Sequence, residues 1–426
     1  MEPVISRQSD GTLTISITLP PGTGGGSLLR LEEQIQEAVN AVGVAAMREM
    51  LPRFDDAGPA FIKDGRNWTT KGRTGKIYET AWGEVMVERH VYQTSAGGAT
   101  LCPFETKARI MGGTATPLLA RSLSHKYTND NARAVVRDLE ENHGRKLAPS
   151  YVSDIARAVA DAASDPVVEQ RAHAPQSPRK NVRTLVLGLD GTCALICKEG
   201  FKSCMVGTIA LYDAEGERLE TIYLAEAPEA GKATFLAKLD AEWERICAFY
   251  PKARRAGLSD GARDYEPWLA ARTTWQILDF YHASGYLAGA APGMERGKAK
   301  RAAWLEEACH TLKHDHGAAK RLAAELSARA AAATGSGDSV KALKAAATYF
   351  ANNVERMNYS TAQAMAMPIG SGVTEAACKT LVKARLCQSG MQWTREGAQS
   401  VLTLRALLLS PSRWTSLWKH FDQHGF

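Results

Sequence analysis

A chain of 426 residues, 45% apolar and 23% charged, has room for two or three domains and the composition of an ordinary globular protein, which excludes the disordered and fibrous classes. Its formal net charge of +6 is compatible with a nucleic-acid partner but too small to establish one. Eight cysteines with no C-x-x-C pair predict reduced thiols, and the lack of an apolar N-terminal leader or a membrane-length apolar run predicts a soluble, cytoplasmic protein with no membrane partner.

Residues 1–26 hold an alternating run, Thr12 to Leu19, followed by Pro20-Pro21-Gly22-Thr23-Gly24-Gly25-Gly26. The third glycine of a dinucleotide loop is missing and the prolines spoil the strand-to-helix turn, so a flexible linker is expected. Ser27 to Leu51 is predicted to be an amphipathic helix with Leu28, Leu31, Ile35, Val39 and Val42 on one stripe, facing the core or a dimer contact. Lys76–Thr80 and Val85–Tyr92 around Trp82-Gly83 predict a β-hairpin. Arg66, Lys71, Arg73 and Lys76, with Trp68 among them, suit either a DNA backbone or a solvated loop.

Helical periodicity begins at Thr116-Pro117, an N-cap followed by Pro at the first helical position. Helices are expected over Leu118–Tyr127, Asn129–Asn142 and Pro149–Ala163. In the last, Val152, Ile155 and Val159 face inward and Tyr151, Ser153 and Arg157 face outward. Short helices joined by tight turns fit a helix-turn-helix-like DNA-binding module, with those three residues as candidate readers, and equally fit a plain helical bundle. The proline-punctuated stretch 165–181 is expected to be a linker.

The pattern then changes to strand–helix alternation. Thr184–Leu189 predicts a strand ending at Asp190-Gly191, and Met205–Tyr212 and Leu219–Leu224 complete an antiparallel meander. After a helix over Lys232–Tyr250, Ala256–Ser259 predicts a short strand ending at Asp260-Gly261, and Trp275–Leu278 another ending at Asp279-Phe280-Tyr281-His282. Residues 286–356, rich in Ala, Lys and Glu, are predicted to form an all-α insertion broken only at Gly335-Ser336-Gly337. Then comes Pro368-Ile369-Gly370-Ser371-Gly372-Val373-Thr374-Glu375. Here Ser371 is the expected N-cap of a helix whose inward stripe is Val373, Ala377, Leu381 and Ala384. Glu375 lies in its first turn, off the stripe, with Lys379, Lys383 and Arg385 behind it as candidate phosphate contacts. A final helix is expected from Thr394 to Leu409.

Asp190 and Asp260 each follow a strand, where open α/β sheets place ligands, and the Glu375 helix can return to that edge. Carboxylates that converge repel unless a hard cation holds them, so a divalent-metal site is expected. Strand-end turns explain one Asp-Gly pair well, and two plus Glu375 less well. Leu189-Asp190-Gly191-Thr192 looks like a phosphatase motif, but its nucleophile position is Gly188, which closes that route. A glycosidase pair leaves the basic residues behind Glu375 unexplained. Cys309, His310, His314 and His316 have near-zinc spacing and are read as a solvated helix face.

These residues carry a resemblance. Leu189-Asp190-Gly191, Ser259-Asp260-Gly261-Ala262, Leu278-Asp279-Phe280-Tyr281-His282, the string from Pro368 to Glu375 and Gly390-Met391-Gln392-Trp393 together resemble the bacterial insertion-sequence DDE transposases of the ISKra type. The likeness is close from about residue 184 to the end and looser across the hairpin and helical module.

It implies an α/β, RNase H-like catalytic domain over 182–426 with the insertion at 286–356. An N-terminal helix and hairpin region (1–115), the helix-turn-helix-like module (116–164) and the linker (165–181) precede it. It implies two Mg²⁺ or Mn²⁺ ions held by the catalytic acids Asp190, Asp260 and Glu375, Asp190 bridging both, with Asp279 and His282 as a supporting Asp-x-x-His signature. The implied function is binding of double-stranded terminal inverted repeats, strand cleavage and transfer to target DNA, by a homodimer or higher oligomer associated with the nucleoid. The alternatives are an inactive, domesticated DNA-binding protein and a metal-dependent nuclease without strand transfer. Many relatives carry a Cys-x-x-Cys pair after the hairpin, whereas this chain reads Tyr92-Gln93-Thr94-Ser95-Ala96-Gly97-Gly98, which puts a structural zinc there in doubt.

Overall fold

The folded chain divides into two compact units, Met1–Ala174 with Thr403–Phe426, and Pro175–Leu402. The computed structural model describes residues 2–19, 27–172, 179, 181–229, 231–261 and 263–425. The Gly-rich stretch 20–26 lies outside them. A domain was expected to run from 182 to the C-terminus, but the unit carrying the catalytic candidates ends at Leu402. The cause is apolar: Leu404, Leu407, Trp414, Leu417, Trp418 and Phe421 are buried in the core of the first unit.

In the first unit, β1 (Val4–Arg7) and β2 (Leu13–Ser16) form a small hairpin, and α1 runs Leu28–Met50 with the Ser27 hydroxyl accepting the Arg30 N–H. The stripe at the N-terminal end of α1 is uncovered: Leu28, Leu31, Ile35 and Val39 are exposed, while Ala38 and Ala45 are the buried positions. Among the described residues, the expected core contact is therefore absent along that stretch. A three-stranded antiparallel sheet, β3 (Phe61–Lys63), β4 (Arg66–Glu79) and β5 (Glu84–Thr94), contains the expected hairpin. Arg66, Lys71 and Arg73 sit on strand β4 rather than in a loop, and Trp68 stacks on Phe61.

After the short α2 (Pro103–Lys107), helices α3 (Pro117–Asn129), α4 (Ala132–His143) and α5 (Pro149–Ala163) follow the predicted pattern, with Asn131 capping α4 and Gly144 ending it in the left-handed region. The expected linker contains a packed helix, α6 (Pro166–Ala172). Asp165 Oδ1 accepts the N–H groups of Val167 (2.9 Å) and Val168 (3.2 Å), Pro166 starts the helix, and Val168 and Ala172 are buried. Residues 173–178 and 180 lie outside the described residues.

In the second unit, β6 (Thr184–Ile196), β7 (Gly200–Tyr212), β8 (Arg218–Glu226), β9 (Arg254–Ser259) and β10 (Trp275–Leu278) form one mixed sheet in the order β10-β9-β6-β7-β8. β6, β7 and β8 are the antiparallel meander; β9 is parallel to β6 and β10 parallel to β9. Side-chain alternation splits the two faces. Leu185, Leu187 and Leu189 pack with Phe235, Leu239, Trp243 and Ile246 of α7 (Ala233–Phe249). Val186, Ala256, Leu258 and Ile277 pack on the opposite face.

The short α8 (Glu266–Ala270) precedes β10. The helical insertion follows as α9 (Phe280–Met294), α10 (Lys298–His314), α11 (Ala318–Ala332) and α12 (Asp338–Asn353), sharing that second core. It has two interruptions beyond the expected one, at Glu295–Gly297 and at Asp315–Gly317. Then come α13 (Tyr359–Ala364), α14 (Gly372–Ala377), a π-helical turn over Cys378–Lys383, and α15 (Ala384–Leu386).

Candidate metal centre

The strands deliver the acids to one edge. The parallel ladder between β6 and β9 ends at Gly188↔Leu258, and that between β10 and β9 at Leu278↔Ser259. Asp260 and Asp279 come directly after those points, and Asp190 two residues after Gly188. Asp190 is not at the end of its strand as expected, because β6 continues to Ile196 paired with β7; it lies where β6 has lost its parallel neighbour. On the same face as Val186, Gly188 lies beneath α14. A Cβ there would overlap Thr374 Oγ1, which is paired with Thr208 Oγ1 at 2.7 Å. This glycine lets α14 approach the sheet and brings Glu375 beside Asp190. Gly188→Ala is expected to cost about 1–3 kcal/mol through overpacking and to shift α14; urea denaturation measures it.

A cavity of about 200 Å³ results, lined by Leu189, Asp190, Leu258, Ser259, Asp260, His282, Ser371, Thr374 and Glu375. Asp190, Asp260 and Glu375, widely separated in the chain, thus share one cavity with His282. The closest-set ligand atoms belong to a different trio. Among the described residues, Asp279, His282 and Glu375 form the one group of three or more His, Cys, Asp or Glu side chains whose ligand atoms all lie within 4.8 Å of one another.

Asp279 is 1% exposed and already committed: Oδ1 accepts the His282 N–H at 2.6 Å as the N-cap of α9, and Oδ2 accepts the Ser371 N–H. Burial pushes its carboxyl up, but those N–H donors, the Ser371 hydroxyl and the His282 ring together hold it below the usual carboxylate value. It therefore ties the Ile369–Ser371 loop to α9, helped by the Phe280 N–H donating to Ile369 O at 2.9 Å. His282 Nδ1 lies 3.3 Å from Asp279 Oδ1 and 3.9 Å from Glu375 Oε1.

Ser371 occupies the N-cap position but makes no side-chain cap bond. Its hydroxyl instead donates to Glu375 Oε1 at 2.6 Å, because Glu375 stands one turn above it. Asp190 is held at both oxygens, by the Gly191 N–H at 2.6 Å and by the Cys378 thiol at 3.4 Å. Burial and the neighbouring carboxylate push that thiol well up, so it stays protonated as a donor. The contacts of Ser371, Cys378 and Thr374 were missed from sequence, although Ser371 and Cys378 stand four residues before and three after Glu375, at helical spacing.

The π-helical turn corrects the basic face. Its extra residue rotates everything after Lys383, so Ala384, expected inward, is exposed, and Arg385, expected to contact phosphate, is 1% exposed with its guanidinium over the Trp393 ring at 4.9 Å. Trp393 is fixed in turn, donating N–H to Leu195 O (3.1 Å) and accepting the Cys197 N–H (2.8 Å). Lys379 and Lys383 remain exposed. Arg385→Ala is expected to destabilise the unit by about 2 kcal/mol while leaving DNA affinity unchanged; paired melts and binding assays check this.

The candidate readers on α5 fare unevenly. The Tyr151 hydroxyl pairs with Thr114 Oγ1 at 3.2 Å, and burial pushes it up to about 12. Ser153 donates back to Ser150 O at 2.8 Å, so its hydroxyl serves its own helix. Arg157 is exposed. His310 and His314 are exposed neighbours on α10, and with Cys309 and His316 they make no metal group among the described residues. All eight cysteines are free, and among the described residues no helix is long and apolar enough to cross a membrane.

No family model and no curated protein matches this chain.

The donor set fits a hard divalent ion. Two aspartates, a glutamate and an imidazole open onto one cavity, two of the carboxylates are pre-oriented by hydrogen bonds, and the dry Asp279 stands behind as support.

Proposed function

We propose that this chain is an insertion-sequence DNA transposase of the DDE class, with an RNase H-like core. One observation carries the reading: Asp190, Asp260 and Glu375 line a single cavity at the edge where the parallel ladders end. The sheet order, with β7 alone running opposite to its neighbours, supports the RNase H-like part.

Asp190, Asp260 and Glu375 would hold two Mg²⁺ or Mn²⁺ ions, which supply activation of a water or 3′-hydroxyl and stabilisation of the leaving oxygen when bound. The protein's own share is positioning. Gly191 and Cys378 orient Asp190, Ser371 orients Glu375, and Asp279 pins the loop that carries Ser371. The exposed Lys379 and Lys383 contact the DNA backbone beyond Glu375. Arg157 on α5 and the strand cations Arg66, Lys71 and Arg73 are the first-unit contributions to end binding. The uncovered stripe Leu28, Leu31, Ile35 and Val39 supports self-association on DNA.

Supercoiled plasmid and a labelled oligonucleotide bearing a 3′-hydroxyl, incubated with the full chain and Mg²⁺ or Mn²⁺, test the reading. Nicking with joining of label to plasmid is the expected result. Nicking without joining makes the protein a nuclease, and binding without nicking makes it an inactive DNA-binding protein.

A further inference from the structure

Beside the residues of the acidic cavity stands an exposed aromatic ring. Tyr281 is 72% exposed in the first turn of α9, between Asp279 and His282. Its neighbour Phe280 is buried. The other tyrosines nearby are occupied: Tyr286 and Tyr349 stack on each other at 3.8 Å, and the Tyr349 hydroxyl donates to Asp260 O at 3.1 Å. Tyr281 meets Phe280 only edge-on, ring centres 5.7 Å apart.

The ring nevertheless has a prepared seat. Gly370 has an ordinary backbone conformation, so its glycine is not required by φ. A Cβ on Gly370 would lie 2.8 Å from Tyr281 Cε2, so the ring lies close to the Gly370-Ser371 turn. That turn leads directly into Ser371 and Glu375, which line the cavity together with His282.

We infer that Tyr281 is a stacking platform for an unpaired nucleobase next to the bond being cut. This rests on the reading of the site as one that cleaves DNA. A planar face beside a site that cuts the backbone offsets the stacking lost where a flanking base is unpaired. Stacking is tolerant of base identity, so Tyr281 selects unpaired over paired DNA rather than one sequence over another.

The test uses a forked DNA duplex with 2-aminopurine at the first unpaired position, and its fully paired counterpart, added to the full chain with Ca²⁺ in place of Mg²⁺. Wild type should bind the fork in preference to the paired duplex and quench the 2-aminopurine. Tyr281→Leu, apolar but not aromatic, should lose the quenching and weaken fork binding about tenfold, while Tyr281→Trp and Tyr281→Phe retain both. Circular dichroism and melting curves confirm that each variant is folded, and Tyr281→Ala is a second truncation. A Tyr281→Leu protein that prefers and quenches the fork as wild type does would overturn the inference while leaving the cleavage reading intact. Wild type that neither binds nor, with Mg²⁺, cuts either DNA would overturn the cleavage reading and this inference with it.

Discussion

Glu375→Gln is expected to lower Mg²⁺-dependent strand cleavage by orders of magnitude while leaving the fold and DNA affinity close to wild type. The glutamine carbonyl still accepts the Ser371 hydroxyl that now meets Glu375 Oε1 at 2.6 Å, so shape and local hydrogen bonding survive. What disappears is one negative charge facing a cavity that also holds Asp190, Asp260 and His282. The side chain is 42% exposed, so its charge adds little to folding stability. Lys379→Ala provides the opposite signature. It removes an exposed cation one turn further on, and should weaken binding and flatten the salt dependence by about one phosphate contact without touching the acids. Gel shifts and nicking assays across a salt series separate the two. Equal loss of binding and cleavage in both variants would mean that the helix has been disturbed as a whole, and that Glu375 is not specifically a ligand.

What sequence reading reached and missed here follows from how far each signal extends. Apolar alternation located every strand of the second unit, because burying those side chains on two faces leaves little choice of register. The acids near the edge where the parallel ladders end were therefore legible as neighbours. Arg385 was not: its burial depends on one extra residue in the turn Cys378–Lys383, and a helical wheel drawn at constant pitch puts it outside. Tyr151, expected to face outward on α5, instead packs partly against the core of its unit, and periodicity is blind to Thr114 and to the carbonyl of Ser150, which pair with the hydroxyls of Tyr151 and Ser153. The stripe on α1 shows the converse limit, since amphipathicity announces an apolar face without saying what covers it. In α6 the signal was present and read as a breaker: Asp165-Pro166 is an N-cap followed by Pro at the first helical position.

Asp279 is where a conservative change should have the largest effect on stability. Both oxygens accept backbone N–H groups, from His282 in α9 and Ser371 in the loop before Glu375, and the residue is 1% exposed. Asp279→Asn must turn its amide NH₂ toward one of those N–H donors, leaving a buried donor unpaired, and is expected to cost about 3 kcal/mol at neutral pH. The carboxyl is held below its usual value in the folded protein, so its contribution is complete above the unfolded value of 3.8 and fades as pH falls through the lower native value. The stability difference between wild type and Asp279→Asn should therefore be constant from pH 7 to about 5 and shrink below about 4. Freeing the Ile369–Ser371 loop should also loosen the hydroxyl that orients Glu375, lowering cleavage about 10- to 100-fold as loss of a supporting residue does at metal sites. That decrease should appear as weaker Mn²⁺ affinity with DNA affinity retained. Urea denaturation at a series of pH values and Mn²⁺ titration provide the measurements. A difference that stays constant down to pH 3, or Mn²⁺ affinity equal to wild type, would remove Asp279 from its place as the post on which the loop carrying Ser371 and Glu375 is hung.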